Sequence, residues 1–357
     1  MTAPAPPPTY FRKGFGLKAD VEGELAAAYD GRLVDLLKER DFSLSAGGVT
    51  VRLAREFGFC YGVERAVEYA YQTRKKFPDK KIYLAGEIIH NPHINTRLSD
   101  AGVIFLKHNA NTTEASFDFG IVNPDDVVLL PAFGVTVADF ATLRERGCVM
   151  VDTTCGSVLN VWKRVESYAR DGYTALIHGK FYHEETRATA SQVMKYPGGQ
   201  YLIVRDMDEV RFVCDFLEGK RTAAEIREKF APHAASPEFD PERDLKRIGV
   251  ANQTTMLSSE SLEIAGMFRQ AMIDRFGEAE IDEHFRSFDT ICNATQERQD
   301  AVMEMMKDPP DVMLIVGGFN SSNTTHLAEM SVRFCPTYHI DEVSRLRSPQ
   351  EIEHCRA

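Results

Sequence analysis

From Val51 onward the chain alternates short apolar runs with helix-like ones, and that rhythm admits few folds. VRLARE precedes GVERAVEYAYQTRKKF, KIYLAGEII precedes NTRLSDAG, and VVLLPAF precedes TVADFATLRERG. CVMVD, TALIHG, QYLIV, RIGVANQ and DVMLIVGG continue the series, each followed by a turn or a helix opening. Apolar runs set between helices are how parallel strands read when helices cover both faces of the sheet. So many strands exceed one dinucleotide-binding sheet, so an α/β chain with several sheets is expected.

Three cysteines recur at matching points of this rhythm: Cys60 in FGFCYGVERAVEYAY, Cys155 in VDTTCGSVLNVWKRV and Cys292 in FDTICNATQERQDAV. Each sits between an apolar run and a helix-like run, which suggests three like units meeting at one thiolate-bound centre. The free amides of a helix start favour negative charge, so a thiol there ionises and binds metal more readily. A centre held by three protein ligands keeps a coordination position open, whereas a structural tetrahedral site is closed by four. A buried core thiol is the competing explanation for any one of them, and the recurrence argues against it. Cys148, Cys214, Cys335 and Cys355 lack this setting and read as structural.

At 357 residues the chain can hold two or three domains. Expected are an N-terminal extension over residues 1–49, α/β units over 50–155 and 156–288, and a third unit over 289–357. The interval from Cys155 to Cys292, 137 residues, exceeds that from Cys60 to Cys155, 95 residues. The excess is placed at 206–247, a charged, proline-containing stretch expected to form surface helices and a loop between strands. Residues 1–9 are Pro-rich and read as disordered, and VEGELAAAYDGRLVDLLKER reads as an amphipathic helix. The last run, SPQEIEHCRA, reads as helix-like, so the third unit is expected to be C-terminally incomplete.

Seven cysteines without a CxxC pair, and an N-terminus without an apolar signal core, argue for a reducing cytoplasm. The best apolar candidate for a membrane span, VVLLPAFGVTVADF, is broken by Pro131, Gly134 and Asp139, so no membrane role is expected. A net charge of -11 argues against a nucleic-acid surface but leaves room for a small anionic substrate.

Ligands of open α/β sheets bind at the carboxyl ends of strands, and polar residues cluster there. They are His90 in GEIIHNPHIN, His183 and Glu185 in HGKFYHEETRATAS, Gln253 and Thr254 in ANQTTM, and Ser321, Ser322 and Asn323 in NSSN. NSSN can cradle phosphate or cap a helix. Glu185 can relay protons in a dry site or serve as a first-turn carboxylate. Arg65 and Arg298 can offset thiolate charge or form ordinary ion pairs. His93, His108, His284 and His326 read as structural or surface.

Taken together, GFCYGVERA, EIIHNP, PAFGV, VDTTC, HGKFYHEET, ANQTTM, ICNATQERQ and NSSN resemble the 4-hydroxy-3-methylbut-2-enyl diphosphate reductases, and RKGFG and HGKFYHEET resemble their plant and cyanobacterial branch. The resemblance implies a trefoil of three similar α/β domains with mostly parallel sheets around a central [4Fe-4S] cluster on Cys60, Cys155 and Cys292. It implies reductive removal of the allylic hydroxyl to give isopentenyl and dimethylallyl diphosphates, with ferredoxin or flavodoxin as electron donor. By the same carry-over Glu185 relays protons, Thr254 and Asn323 hold the substrate hydroxyl network, and His90, His183, Ser321, Ser322 and Asn323 hold the diphosphate.

Two departures stand out. Phe133 stands where much of the family, though not its plant-like branch, has the histidine of an AHGV segment, and a Gly-Ala-Ser segment that follows in the family is not in this sequence. Two other functions compete: a three-thiolate zinc hydrolase acting on a diphosphate, with Glu185 as general base, and a non-catalytic iron-sulfur scaffold or sensor.

Overall fold

The computed structural model describes residues 9–355 apart from 30, 109–116, 232 and 349. Of the Pro-rich stretch expected to be disordered, residues 1–8 lie outside the described residues. Thr9 is already engaged, its carbonyl accepting from the Met150 amide at 2.6 Å.

The chain opens with β1 (Tyr10–Phe11), α1 (Lys18–Tyr29) and α2 (Arg32–Glu39). The single amphipathic helix expected here is therefore two, separated at Gly31, which is extended and caps α2. This segment joins the first core: β1 pairs in parallel with a strand of the first sheet, and Val21 is fully buried. A hairpin follows, β2 (Ser43–Ala46) and β3 (Val49–Arg52), antiparallel and mostly exposed. VRLARE is thus not the first strand of a parallel sheet. Gly47 and Gly48 both carry positive φ, 57° and 80°, the backbone of a two-residue turn that twists with its strands.

After α3 (Tyr61–Lys76) come β4 (Ile82–Leu84), α4 (Pro92–Asp100), β5 (Val103–Phe105), β6 (Val127–Leu130), α5 (Val137–Arg146) and β7 (Val149–Asp152). They form a parallel sheet of order β1-β7-β6-β4-β5. Alternate residues serve opposite faces: Ile82, Leu84, Val127 and Leu129 enter one core, and Tyr83, Val128 and Leu130 the other. That is the period-two signature of strands covered on both sides.

The second sheet is built from α6 (Gly156–Arg170), β8 (Thr174–His178), α7 (Glu184–Val193), β9 (Tyr201–Val204), α8 (Met207–Leu217), α9 (Ala223–Phe230), α10 (Pro241–Asp244), β10 (Ile248–Asn252), α11 (Ser258–Phe276), α12 (Ile281–His284) and β11 (Phe285–Ser287). Its order is β11-β10-β8-β9, all parallel. The charged insertion lies between β9 and β10 as expected, but α8 is amphipathic rather than wholly solvated. Its Val210, Val213 and Leu217 are buried in the second core.

A third, smaller layer follows with α13 (Asn293–Met305), β12 (Met313–Val316), α14 (Ser322–Ser331) and β13 (Thr337–Ile340), the two strands parallel. Met313 and Ile315 face its core while Leu314 and Val316 are exposed. β14 (Leu346–Ser348) and β15 (Glu351–Ile352) then form an antiparallel pair. The described residues of SPQEIEHCRA are therefore not helical. The α/β class with mostly parallel sheets is the architecture expected.

Candidate active site

Cys60, Cys155 and Cys292 are the N-cap residues of α3, α6 and α13, each with extended backbone and none using its side chain as a cap. All three sulfurs are therefore free to face outward from helix starts. The strand-cysteine-helix setting holds strictly for Cys155 alone, close after β7. Cys60 follows a loop, and four residues separate β11 from Cys292. Burial pushes the Cys155 thiol up, the Ser157 amide opposes it, and the Cys60 and Cys292 sulfurs raise it further.

The three segments are tied in a circle. Arg65 of α3 donates to the Thr154 carbonyl at 2.7 Å, and the Ser157 hydroxyl of α6 to the Cys292 sulfur at 3.4 Å. Arg298 of α13 donates to the Gly58 carbonyl at 2.9 Å. Both arginines therefore hold backbone oxygens beside cysteines instead of forming carboxylate pairs. The cysteines line an open cleft of about 940 Å³ together with Arg65, Ser157 and Arg298.

The cleft has room where a side chain would close it. A Cβ on Gly62 would lie 2.5 Å from the Cys155 sulfur and 3.8 Å from that of Cys60. A lone zinc bonds sulfur at about 2.3 Å, so three thiolates on one ion approach one another within about 4 Å. Among the described residues the donors that all lie within 4.8 Å of one another are those of His90, His183 and Glu184, and the three sulfurs are not such a group. Three thiolates at helix starts are a donor set that fits an iron-sulfur cluster and zinc alike.

Glu185 lies in the first turn of α7, as a dipole-stabilised carboxylate would, yet is only 1% exposed. Thr254 holds it at both oxygens, the amide donating to Oε1 at 2.6 Å and the hydroxyl to Oε2 at 3.0 Å. Burial raises the Glu185 pKa to about 7 against the lowering effect of those two bonds. The Thr254 carbonyl accepts from the Cys292 amide at 3.2 Å, which joins this carboxyl to a cysteine segment.

His90 and His183 meet edge to face at 5.0 Å, and Phe133 stacks on His90 at 4.2 Å. Burial alone would discharge His90, but Glu184 and Glu87 outweigh it and raise its pKa to about 9. The Glu87 carboxylate is 2.9 Å from Nδ1. Burial and then the His90 charge drive His183 the other way, to about 3. His183 is thus neutral, its Nδ1 accepting from the Glu185 amide at 3.1 Å and its proton on Nε2.

The NSSN segment caps a helix, one of its two expected roles, and also braces a neighbouring loop. Ser321 caps α14, accepting from the Thr324 amide at 3.4 Å, while Ser322 accepts from Gln253 Nε2 at 3.1 Å. Gln253 in turn accepts from Lys180 and Thr186, which makes it a cross-brace among loop ends. The Asn323 Oδ1 is buried without a hydrogen-bond partner. Glu87, Glu184 and Phe133 escaped the sequence reading as positive features; Glu184 beside His183 and Glu87 three residues before His90 were the available signals. Of the histidines set aside, His326 is buried, its Nδ1 2.9 Å from the Thr255 carbonyl, and His284 stacks on Phe276 at 3.8 Å. His93 pairs with exposed Arg97, and the His108 ring lies against Phe117 at 4.7 Å.

Residues 51–356 match the LytB protein family. The chain is 47% identical over 346 residues to the 4-hydroxy-3-methylbut-2-enyl diphosphate reductase of Trichormus variabilis, an alignment covering 97% of this chain and 84% of that one. With the enzyme of the same name from Gloeobacter violaceus it shares 47% over 351 residues, 97% of this chain and 82% of that one. Among solved structures, the E-1-hydroxy-2-methyl-but-2-enyl-4-diphosphate reductase from Plasmodium falciparum has a similar fold, with a TM-score of 0.59 at 23% identity over 80% of this chain and 74% of that one.

Proposed function

The chain belongs to the LytB family, the one its motifs resemble, and on that premise we propose that it reductively dehydroxylates 4-hydroxy-3-methylbut-2-enyl diphosphate to isopentenyl and dimethylallyl diphosphates. The overall change consumes two electrons and two protons and releases water. Cys60, Cys155 and Cys292 would hold a [4Fe-4S] cluster, which when bound supplies electrons and an iron that polarises the leaving oxygen. The observation that carries this reading is the buried Glu185–Thr254 pair, joined through the Thr254 carbonyl to Cys292.

A carboxyl whose pKa is about 7 is half protonated at neutral pH, so Glu185 can give a proton to the leaving oxygen and recover another. The Thr254 hydroxyl, fixed on Oε2, keeps that carboxyl in one orientation. Asn323 carries an unspent buried acceptor for a substrate hydroxyl. Protonated His90, the Nε2 proton of His183, and Ser321 and Ser322 at the start of α14 form the wall for the diphosphate, where a helix N-terminus adds favourable charge.

Ferredoxin or flavodoxin would deliver electrons across the open cleft. Cys60, Cys148, Cys155, Cys214, Cys292 and Cys335 are unbridged, which suits a reducing cytoplasm, and among the described residues no helix is long and apolar enough to cross a membrane. The test is anaerobic reconstitution with iron and sulfide followed by a reductase assay on the diphosphate. Brown protein with visible absorption and turnover supports the proposal; colourless protein that hydrolyses the diphosphate with zinc would replace it with the zinc reading.

A further inference from the structure

One oxygen of Glu87 serves two parts of the molecule. Oε2 lies 2.9 Å from His90 Nδ1, in the segment after β4, and accepts from the Asn320 side-chain amide at 2.9 Å, in the segment after β12. The backbones meet at the same place, since a Cβ on Gly318 would fall 2.4 Å from the His90 carbonyl oxygen. The His90 ring is further clamped by Phe133 on its face and by His183 at its edge. Its other nitrogen, Nε2, is buried without a hydrogen-bond partner, with the Glu184 carboxylate 3.5 Å away.

This leaves His90 with Nδ1 tethered to Glu87 and Nε2 at ion-pair distance from Glu184, close enough for charge but with no hydrogen bond of its own. We propose that Glu87 is a positioning residue for the diphosphate site: it turns His90 so that Nε2–H faces the anion, and through Asn320 it latches the NSSN segment to the same ring. The inference rests on the function proposed above and adds how two sheets are made to act on one anion. It also gives Phe133 a part, because its phenyl ring holds by stacking a cation that two carboxylates keep charged. The charged and titratable groups facing His90 are Glu87, Glu184 and His183, with His108 beyond Glu184 at 3.9 Å. Losing the Glu87 charge lets His90 discharge at a lower pH, so substrate affinity must fall earlier on the alkaline side.

The experiment uses cluster-loaded protein, wild type and Glu87→Gln, with KM and kcat measured from pH 6 to 9. The variant should show KM raised about tenfold, the scale of one hydrogen bond to a charged group, with kcat within about twofold. Its affinity should begin to fall at least about one pH unit below the wild type. Glu87→Asp, which keeps the charge but not the reach, should raise KM while keeping the wild-type pH profile. NMR titration of the His90 imidazole in unliganded protein reads the tether without substrate and should shift downward in Glu87→Gln. An unchanged KM and an unchanged His90 titration overturn the proposal, as does a loss that falls on kcat alone. If His90 shifts as expected but wild type binds no diphosphate at any pH, the tether stands while its role in substrate binding and the proposed function fall together.

Discussion

Thr254 grips both oxygens of Glu185, one with its amide and one with its hydroxyl, and both residues are buried. A group held this way can change protonation without changing place, which is what delivering a proton at a fixed atom requires.

Replacing Glu185 by Gln keeps the shape and both contacts to Thr254, since an amide can accept from the Thr254 N–H and donate to its hydroxyl. Turnover should fall about 10²-fold or more, with iron content and visible absorption unchanged. Near-normal single-turnover rates in Glu185→Gln would remove the residue from proton delivery.

The same substitution should change how stability depends on pH. With a folded-state pKa of about 7 against an ordinary 4.5, native Glu185 holds its proton more tightly than the unfolded chain does. Its contribution is therefore fully favourable below about pH 4.5 and is lost as pH rises to about 7. Glu185→Gln cannot ionise, so its Tm should exceed the wild type at pH 8 and match it near pH 4.5. The gap at pH 8 should correspond to at most about 3.5 kcal/mol, at about 1.4 kcal/mol per pKa unit. A constant Tm difference across that range would show that Glu185 ionises freely.

Ser substitution at Cys60, Cys155 or Cys292 should abolish the visible absorption of reconstituted protein. The same change at Cys148, Cys214, Cys335 or Cys355 should leave it largely intact. Cys148 and Cys335 are buried, burial raises the Cys214 thiol to about 12, and Cys355 bridges to His339 through its backbone. Retained absorption after loss of Cys155 would exclude a three-cysteine centre.

Gly62→Ala should separate folding from loading. Alanine is the better helix former by about 1 kcal/mol, so the metal-free protein should be no less stable to urea. Its Cβ would sit 2.5 Å from the Cys155 sulfur, so iron bound per chain should drop by half or more. Equal iron content in the two proteins would mean that the sulfur yields without consequence.

The sheets were legible because their strands are apolar throughout, as both-face burial demands, and the cysteines because each stands at a helix start. VRLARE misled because an exposed hairpin can carry alternating valines; Gly47 and Gly48 were the better signal. The polar wall was only half visible. His90, His183 and the NSSN residues stand beside recognisable strand ends, whereas the partnership of Glu87 with Asn320 spans 233 positions and exists only after two sheets dock. Phe133 was legible as a missing histidine, but its stacking on His90 follows from a loop path that no local pattern encodes.

The circle of Arg65, Ser157 and Arg298 also has a bearing on biosynthesis. Its bonds span 89, 135 and 240 positions, and the longest, from Arg298 to Gly58, cannot form until nearly the whole chain has left the ribosome. A nascent polypeptide offers Cys60 and Cys155 without the third thiol over the 137 residues that separate Cys155 from Cys292. Iron met during that interval would find an unfinished pair, so a centre that needs all three cysteines can be completed only once the Cys292 segment has emerged.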